Sequence, residues 1–258
     1  MQIHELTLTV DLGFDGAFQV KITDPETGIR RTYDHAISFD NHEKFDKTIG
    51  DAIYEWIRKW SEPSGAINLG TFELTTPVMR VSDPCYEKDT WCAGEVDNCR
   101  PGTWEAATMK LDQGLWGVRN ASIAARFSES STTFEDIFES WEDGRVEAKM
   151  NGWDICPFEV GVDSGQAGFF DDAKYHDNSI FDGRPAPKHN FGDRWYNECC
   201  DMTLTTVGAG VIPFGAVSSS GYGDGGYEAF KHTDQNGEVD AMIIVFIYDD
   251  DEDNEEEE

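Results

Sequence analysis

The chain has 258 residues, only 39% of them hydrophobic, yet it carries eight Trp, eight Tyr and sixteen Phe. That aromatic content excludes a wholly disordered chain, and the length allows about three-quarters of the unfolded surface to be buried. A formal net charge of −31 disfavours direct binding to a phosphate backbone, which needs basic patches, and favours basic partners or metal cations. Salt adaptation would also give such a charge, but Lys and Arg are equally frequent, ten each, where depleted Lys is expected.

The first forty residues alternate in hydropathy between turn signals. Leu6–Val10, Ala17–Ile22 and Arg31–Tyr33 read as three strands, separated by Gly13–Gly16 and by Asp24–Gly28. An antiparallel meander is expected. Next, Phe45, Ile49, Ala52, Ile53, Trp56 and Ile57 recur at three- and four-residue spacing behind a candidate cap, Asn41, and Pro63 and Gly65 close the helix. Residues 1–66 therefore read as a small α+β segment.

From residue 67 to 248 the pattern is of strands joined by turns. Thr71–Leu74, Val78–Val81, Trp104–Leu111, Trp116–Phe127, Pro157–Val162, Met202–Val207 and Val211–Val217 are the candidates. A short helix over Phe134–Trp141 is opened by Thr133 or Ser131. The run Ala241–Tyr248 is continuously apolar, which predicts a strand buried on both faces. Asn236-Gly237 is a hairpin turn that pairs it with Tyr227–Phe230. Asp171–Asp193 has little periodicity and reads as a long loop containing His176 and His189. The fold class expected is α+β and β-rich, with an antiparallel β-sandwich-like body.

The run Asp249–Glu258 holds nine acidic residues and no basic one, so a disordered tail is expected there. No apolar run approaches the ~20 residues of a membrane span. MQIHELTLTV has neither a basic n-region nor a long apolar h-region, so the sequence predicts a cytoplasmic chain without membrane attachment. Reduced thiols follow from that compartment. Cys85, Cys92, Cys99, Cys156, Cys199 and Cys200 lack the paired short spacings of structural zinc sites, although four thiolates could still meet in space.

Three phrases combine Asp with Gly or Pro: Ser82-Asp83-Pro84-Cys85-Tyr86, Val162-Asp163-Ser164-Gly165, and Ser220-Gly221-Tyr222-Gly223-Asp224-Gly225-Gly226-Tyr227. Two readings are open. Asp83, Asp163 and Asp224 could converge, with Asp171 or Asp172 nearby, to hold a hard divalent cation and activate a water for hydrolysis. Alternatively each Asp bonds neighbouring backbone N–H groups in turns. The last phrase lacks the Lys and Ser/Thr of a Walker loop and reads as a tight turn against another backbone. No serine matches a nucleophile elbow.

The order and context of these phrases resemble a family of uncharacterised bacterial and phage domains. The likeness lies at Val81–Tyr86, Glu159–Asp171 and Ser218–Phe246, covering roughly residues 70 to 248. The chain departs from that pattern in its acidity, its tail and its Cys-rich insertion after Tyr86. The resemblance implies a fold class and supplies no mechanism. Together with the charge it points to a non-enzymatic binding protein for a basic protein partner, in the form of a phage inhibitor of a host defence system or a nucleic-acid mimic. Asp83, Tyr86, Asp163, Tyr222, Asp224 and Tyr227 are then the binding residues, and no cofactor is called for. The alternative is a metal-dependent hydrolase using Asp83, Asp163 and Asp224.

Overall fold

The computed structural model describes residues 7–12, 17–23, 30–36, 65–113, 116–142 and 152–248, with side chains from residue 65 to 138 within those ranges and from 152 onward. The helix expected from Asn41 and the acidic tail 249–258 lie outside the described residues. The chain divides into two compact units, Met1–Glu62 with Asp112–Val118, and Pro63–Leu111 with Arg119–Glu258.

In the first unit β1 (Thr7–Leu12), β2 (Ala17–Thr23) and β3 (Arg30–Ala36) form the expected meander, each pair antiparallel. Thr7 pairs with Thr23, and Ala17 with Ala36.

The second unit is an antiparallel β-sandwich with helices. One sheet has the order β4 (Gly65–Leu74), β7 (Gly102–Asp112), β8 (Val118–Phe127), β14 (Val239–Val245), β13 (Gly225–Thr233), β9 (Trp153–Val162). The other has the order β11 (Ala209–Ile212), β12 (Gly215–Ser219), β10 (Gln166–Asp171), β5 (Val78–Ser82), β6 (Gly94–Asp97). Their facing sides share one core that includes Phe72, Val81, Trp104, Ile123, Val160, Phe169 and Ile244.

Strand alternation supplies two further apolar layers. On β14, Met242 and Ile244 point into the inter-sheet core, whereas Ala241, Ile243 and Val245 face Ile137 and Phe138 of α1 (Phe134–Glu142). On β10, Phe169 faces inward, while Phe170 packs with Trp195 and Cys199 of α2 (Arg194–Thr203). The order of layers is thus α1, six strands, five strands, α2. Each large side chain so buried contributes about 1.5–3 kcal/mol before entropy is charged against it.

Local chemistry explains the helix ends. Thr133 Oγ1 accepts from Asp136 N at 3.1 Å while the Asp136 carboxylate accepts from Thr133 N at 2.8 Å, a reciprocal cap that starts α1 at Phe134. The Thr133 hydroxyl, donating to the Asp136 carboxylate at 2.6 Å, and the Thr133 N–H hold that carboxyl below its ordinary range. Asp193 caps α2 by accepting from Tyr196 N at 2.9 Å.

Several expectations need correction. Met202 and Thr203 close α2 instead of opening a strand over 202–207, and Leu204 caps the helix through its N–H to Cys200 O at 2.9 Å. Val211–Val217 is two strands folded back at Pro213-Phe214, with Ile212 opposite Gly215. Gly65 and Ala66 pair with Lys110 and Met109, so they belong to the body and not to the preceding segment. The stretch read as a long loop after Asp171 contains 3-10 turns at Asp172–Lys174 and Asn178–Phe181, and Tyr175 and Phe181 pack there against Trp195 and Cys199 of α2. Among the described residues no helix is long and apolar enough to cross a membrane.

Gly168 lies on central β10, where a Cβ would sit 2.1 Å from Ala216 O of β12. Gly168→Ala should therefore push two paired strands apart and destabilise by about 2–3 kcal/mol, read as a shifted denaturant midpoint at unchanged slope.

Candidate functional site

The chain leaves β5 at Ser82, turns from β9 to β10 through residues 163–165, and passes from β12 to β13 through residues 220–224, all at one end of the sandwich. Asp83 is fully buried there. Its Oδ2 accepts from Asp163 N at 2.9 Å and Ser164 N at 2.7 Å, and its Oδ1 from Ser164 Oγ at 2.6 Å and Cys85 N at 2.8 Å. Four donors satisfy both oxygens, so desolvation of the carboxylate is offset by charge-assisted bonds. The same turn is clamped from below. The Tyr175 hydroxyl lies 3.0 Å from Asp83 O and 2.8 Å from Tyr86 O, and His176 Nε2 lies 3.0 Å from Pro84 O.

The third phrase joins through Asp224, whose Oδ1 accepts from Gly165 N at 3.0 Å, and through Ser220 N, which donates to Gly165 O at 3.0 Å. Gly221 and Gly223 take φ of 60° and 114°, in the left-handed region that a Cβ disfavours. The Tyr227 hydroxyl closes the turn, lying 2.6 Å from Gly223 O and 2.9 Å from Ser220 O. Burial raises the Tyr227 phenol above its ordinary range. Burial does the same to Tyr86, whose hydroxyl also meets Asp163 and Cys92.

The structure thus brings all three phrases together and gives their side chains different work. Asp83, Tyr86 and Tyr227 turn inward and hold the turns. Asp163, Asp224 and Tyr222 face solvent, with Tyr222 55% exposed and the Arg119 guanidinium 5.9 Å from its ring centre. Asp171 is spent on Thr75 and Thr76 and on Ala173 N at 2.9 Å, capping the first 3-10 turn. Asp172 bonds Arg80 Nε at 2.8 Å and Lys88 Nζ at 3.0 Å. Burial would raise the Asp172 carboxyl, but these two cations outweigh burial and hold it below its ordinary range.

Among the described residues, no group of three His, Cys, Asp or Glu side chains is arranged to hold a metal ion. Asp83 in particular offers no spare lone pair. All six cysteines are free thiols. Five are buried and Cys85 is exposed, although partial burial and Asp83 beside it push its thiol up to about 12. His189 Nδ1 lies 2.6 Å from Asp201 Oδ1 on α2, so the two loop histidines have different partners.

Sequence reasoning missed Trp91, which is 87% exposed. Its signal was an indole set among the turn-forming and charged residues Glu87, Lys88, Asp89 and Thr90, where no apolar face exists to receive it. No family model, curated protein or solved structure matches this chain.

Proposed function

We propose that the chain is a non-enzymatic acidic binding protein that engages a basic protein partner through this end of the sandwich. The supporting observation is the division of labour among its carboxylates. The buried Asp83 and Asp171 are consumed by hydrogen bonds, whereas Asp163 and Asp224 face water beside an exposed tyrosine. Water-facing carboxylates on stitched turns form a fixed negative surface, which steers a cationic partner and fixes its orientation. In its finer form the partner is a nucleic-acid-binding protein of a host defence system, with the acidic surface occupying the groove meant for phosphates.

The test is capture of partners from host lysate on the full chain and on an Asp163→Asn/Asp224→Asn variant. A basic partner is expected, displaced by duplex DNA and by raising the salt from 0.15 to 0.5 M, with association slowed about threefold or more in the variant. A partner held equally by both proteins, and indifferent to salt and DNA, would sink the reading.

A further inference from the structure

Trp91 lies in the second of two successive turns, closed by Thr90 N to Glu87 O and by Ala93 N to Thr90 O, each at 3.1 Å. The residue after it is pinned to the sandwich. Gly161 N of β9 donates to Cys92 O at 3.0 Å, and the buried Cys92 sulfur lies so close that a Cβ on Gly161 would approach it to 2.7 Å. The indole is therefore exposed on an anchored turn, with no ring contact or hydrogen bond to another described residue. Leaving so large an apolar surface in water forgoes about 2–3 kcal/mol that burial would return, the usual mark of a binding anchor.

The surroundings say what covers it. Glu87 is 88% exposed and Asp89 is exposed on the same turn. The single cation of that turn, Lys88, is drawn away to Asp172. Asp163 stands on the adjoining turn, joined through Tyr86 to Cys92. An electron-rich ring face on a stretch that carries two exposed carboxylates is complementary to a planar cation. Guanidinium stacks on indole and bonds carboxylates in the same plane, which a compact, strongly hydrated ammonium does less well.

We infer that Trp91 is the docking anchor for an arginine side chain of the basic partner, with Glu87 and Asp89 as its flanking acids. The inference rests on the reading under Proposed function and deepens it by naming the residue recognised. It is tested on the full chain with octa-arginine and octa-lysine peptides at 0.15 M salt, measuring affinity by anisotropy of a dye on the peptide. The acidic run 249–258 attracts both peptides by charge, so the quantity that decides is the preference for arginine over lysine.

Wild type is expected to prefer octa-arginine. Trp91→Ala should weaken octa-arginine about fivefold and octa-lysine less than twofold, with Trp91→Phe in between. Unchanged melting of both variants shows that the turn survives. Equal losses for the two peptides, or none, overturn the anchor while leaving the acidic-surface reading intact. Failure of wild type to bind either peptide overturns both.

Discussion

Asp83→Ala should lower the stability of the protein by about 3–5 kcal/mol, a fall of roughly 10 °C or more in melting temperature for a chain of this size. The change removes one buried carboxylate and orphans four donors, the N–H groups of Cys85, Asp163 and Ser164 and the Ser164 hydroxyl. Asp83→Asn keeps the shape but replaces one accepting oxygen by a donor facing other donors, so it should recover little. Asp224→Asn is the contrast. Asp224 is exposed and accepts one bond from Gly165 at 3.0 Å, which an amide oxygen also accepts, so its loss should stay under about 1 kcal/mol. Parallel denaturant melts of the three variants measure this. Equal, small effects for Asp83 and Asp224 would show that the three phrases are not joined through Asp83.

Alkali alone, without denaturant, should unfold the protein. Burial pushes the thiols of Cys99 and Cys156 up from 9.0 to about 12, and that of Cys199 well above 9.0. A folded-state pKa raised above the unfolded value means that the unfolded chain loses its proton first as pH rises. The stability held by these thiols is thus complete below pH 9 and drains away between pH 9 and about 12. At about 1.4 kcal/mol per pH unit, Cys99 and Cys156 alone withdraw roughly 5 kcal/mol by pH 11, comparable with the whole stability of a typical domain. Circular dichroism should therefore fall between pH 10 and 11, and alkylation of Cys99 and Cys156, located by mass spectrometry, should set in with it. Alkylation of Cys99 and Cys156 near pH 9 with the sandwich intact would contradict the burial of these residues.

The sandwich was legible wherever hydropathy alternates or runs continuously. β14 was readable because a strand shared by two cores needs both of its faces apolar, and Val239–Val245 is buried throughout. The hairpin before it was announced by Asn236-Gly237, and Gly237 takes φ 83°. α2 was hard to read because, beside Trp195 and Cys199 at helical spacing, its buried face includes polar Asn197 and Thr203, and apolar Leu204 and Val207 follow it. The eye then takes the segment after Met202 for a strand. Its clearest signal was the cap at Asp193, hidden among the Asp and Gly of the loop before it. β6 was lost for a different reason. An edge strand of four residues, Gly94–Asp97, has too few alternations to stand out.

At the site, the three phrases could be singled out as special, but not which carboxylate would be inside. Asp83 and Asp163 are both Asp beside turn residues. Only the pairing of β10 with β5, which sets Gly168 opposite Ser82, determines that Asp83 points at the 163–164 amides while Asp163 faces water. Trp91 was the converse case, since its exposure follows from where Cys92 is pinned and leaves no trace in periodicity.

The place of β14 between β8 and β13 has a consequence for how the chain is made. Ser122 of β8 finds its partner in Val245, so β8 leaves the ribosome long before the strand that will cover it has been synthesised. At about 5–20 residues per second, that edge waits on the order of ten seconds with one apolar face, Ala121, Ile123 and Ala125, in a form that invites pairing with another nascent chain. The six-stranded sheet therefore cannot close until residues 239–245 have been made. Until then the β14-facing edge of β8 has exposed backbone donors and acceptors, and a holdase that covers it should raise the yield of folded chain.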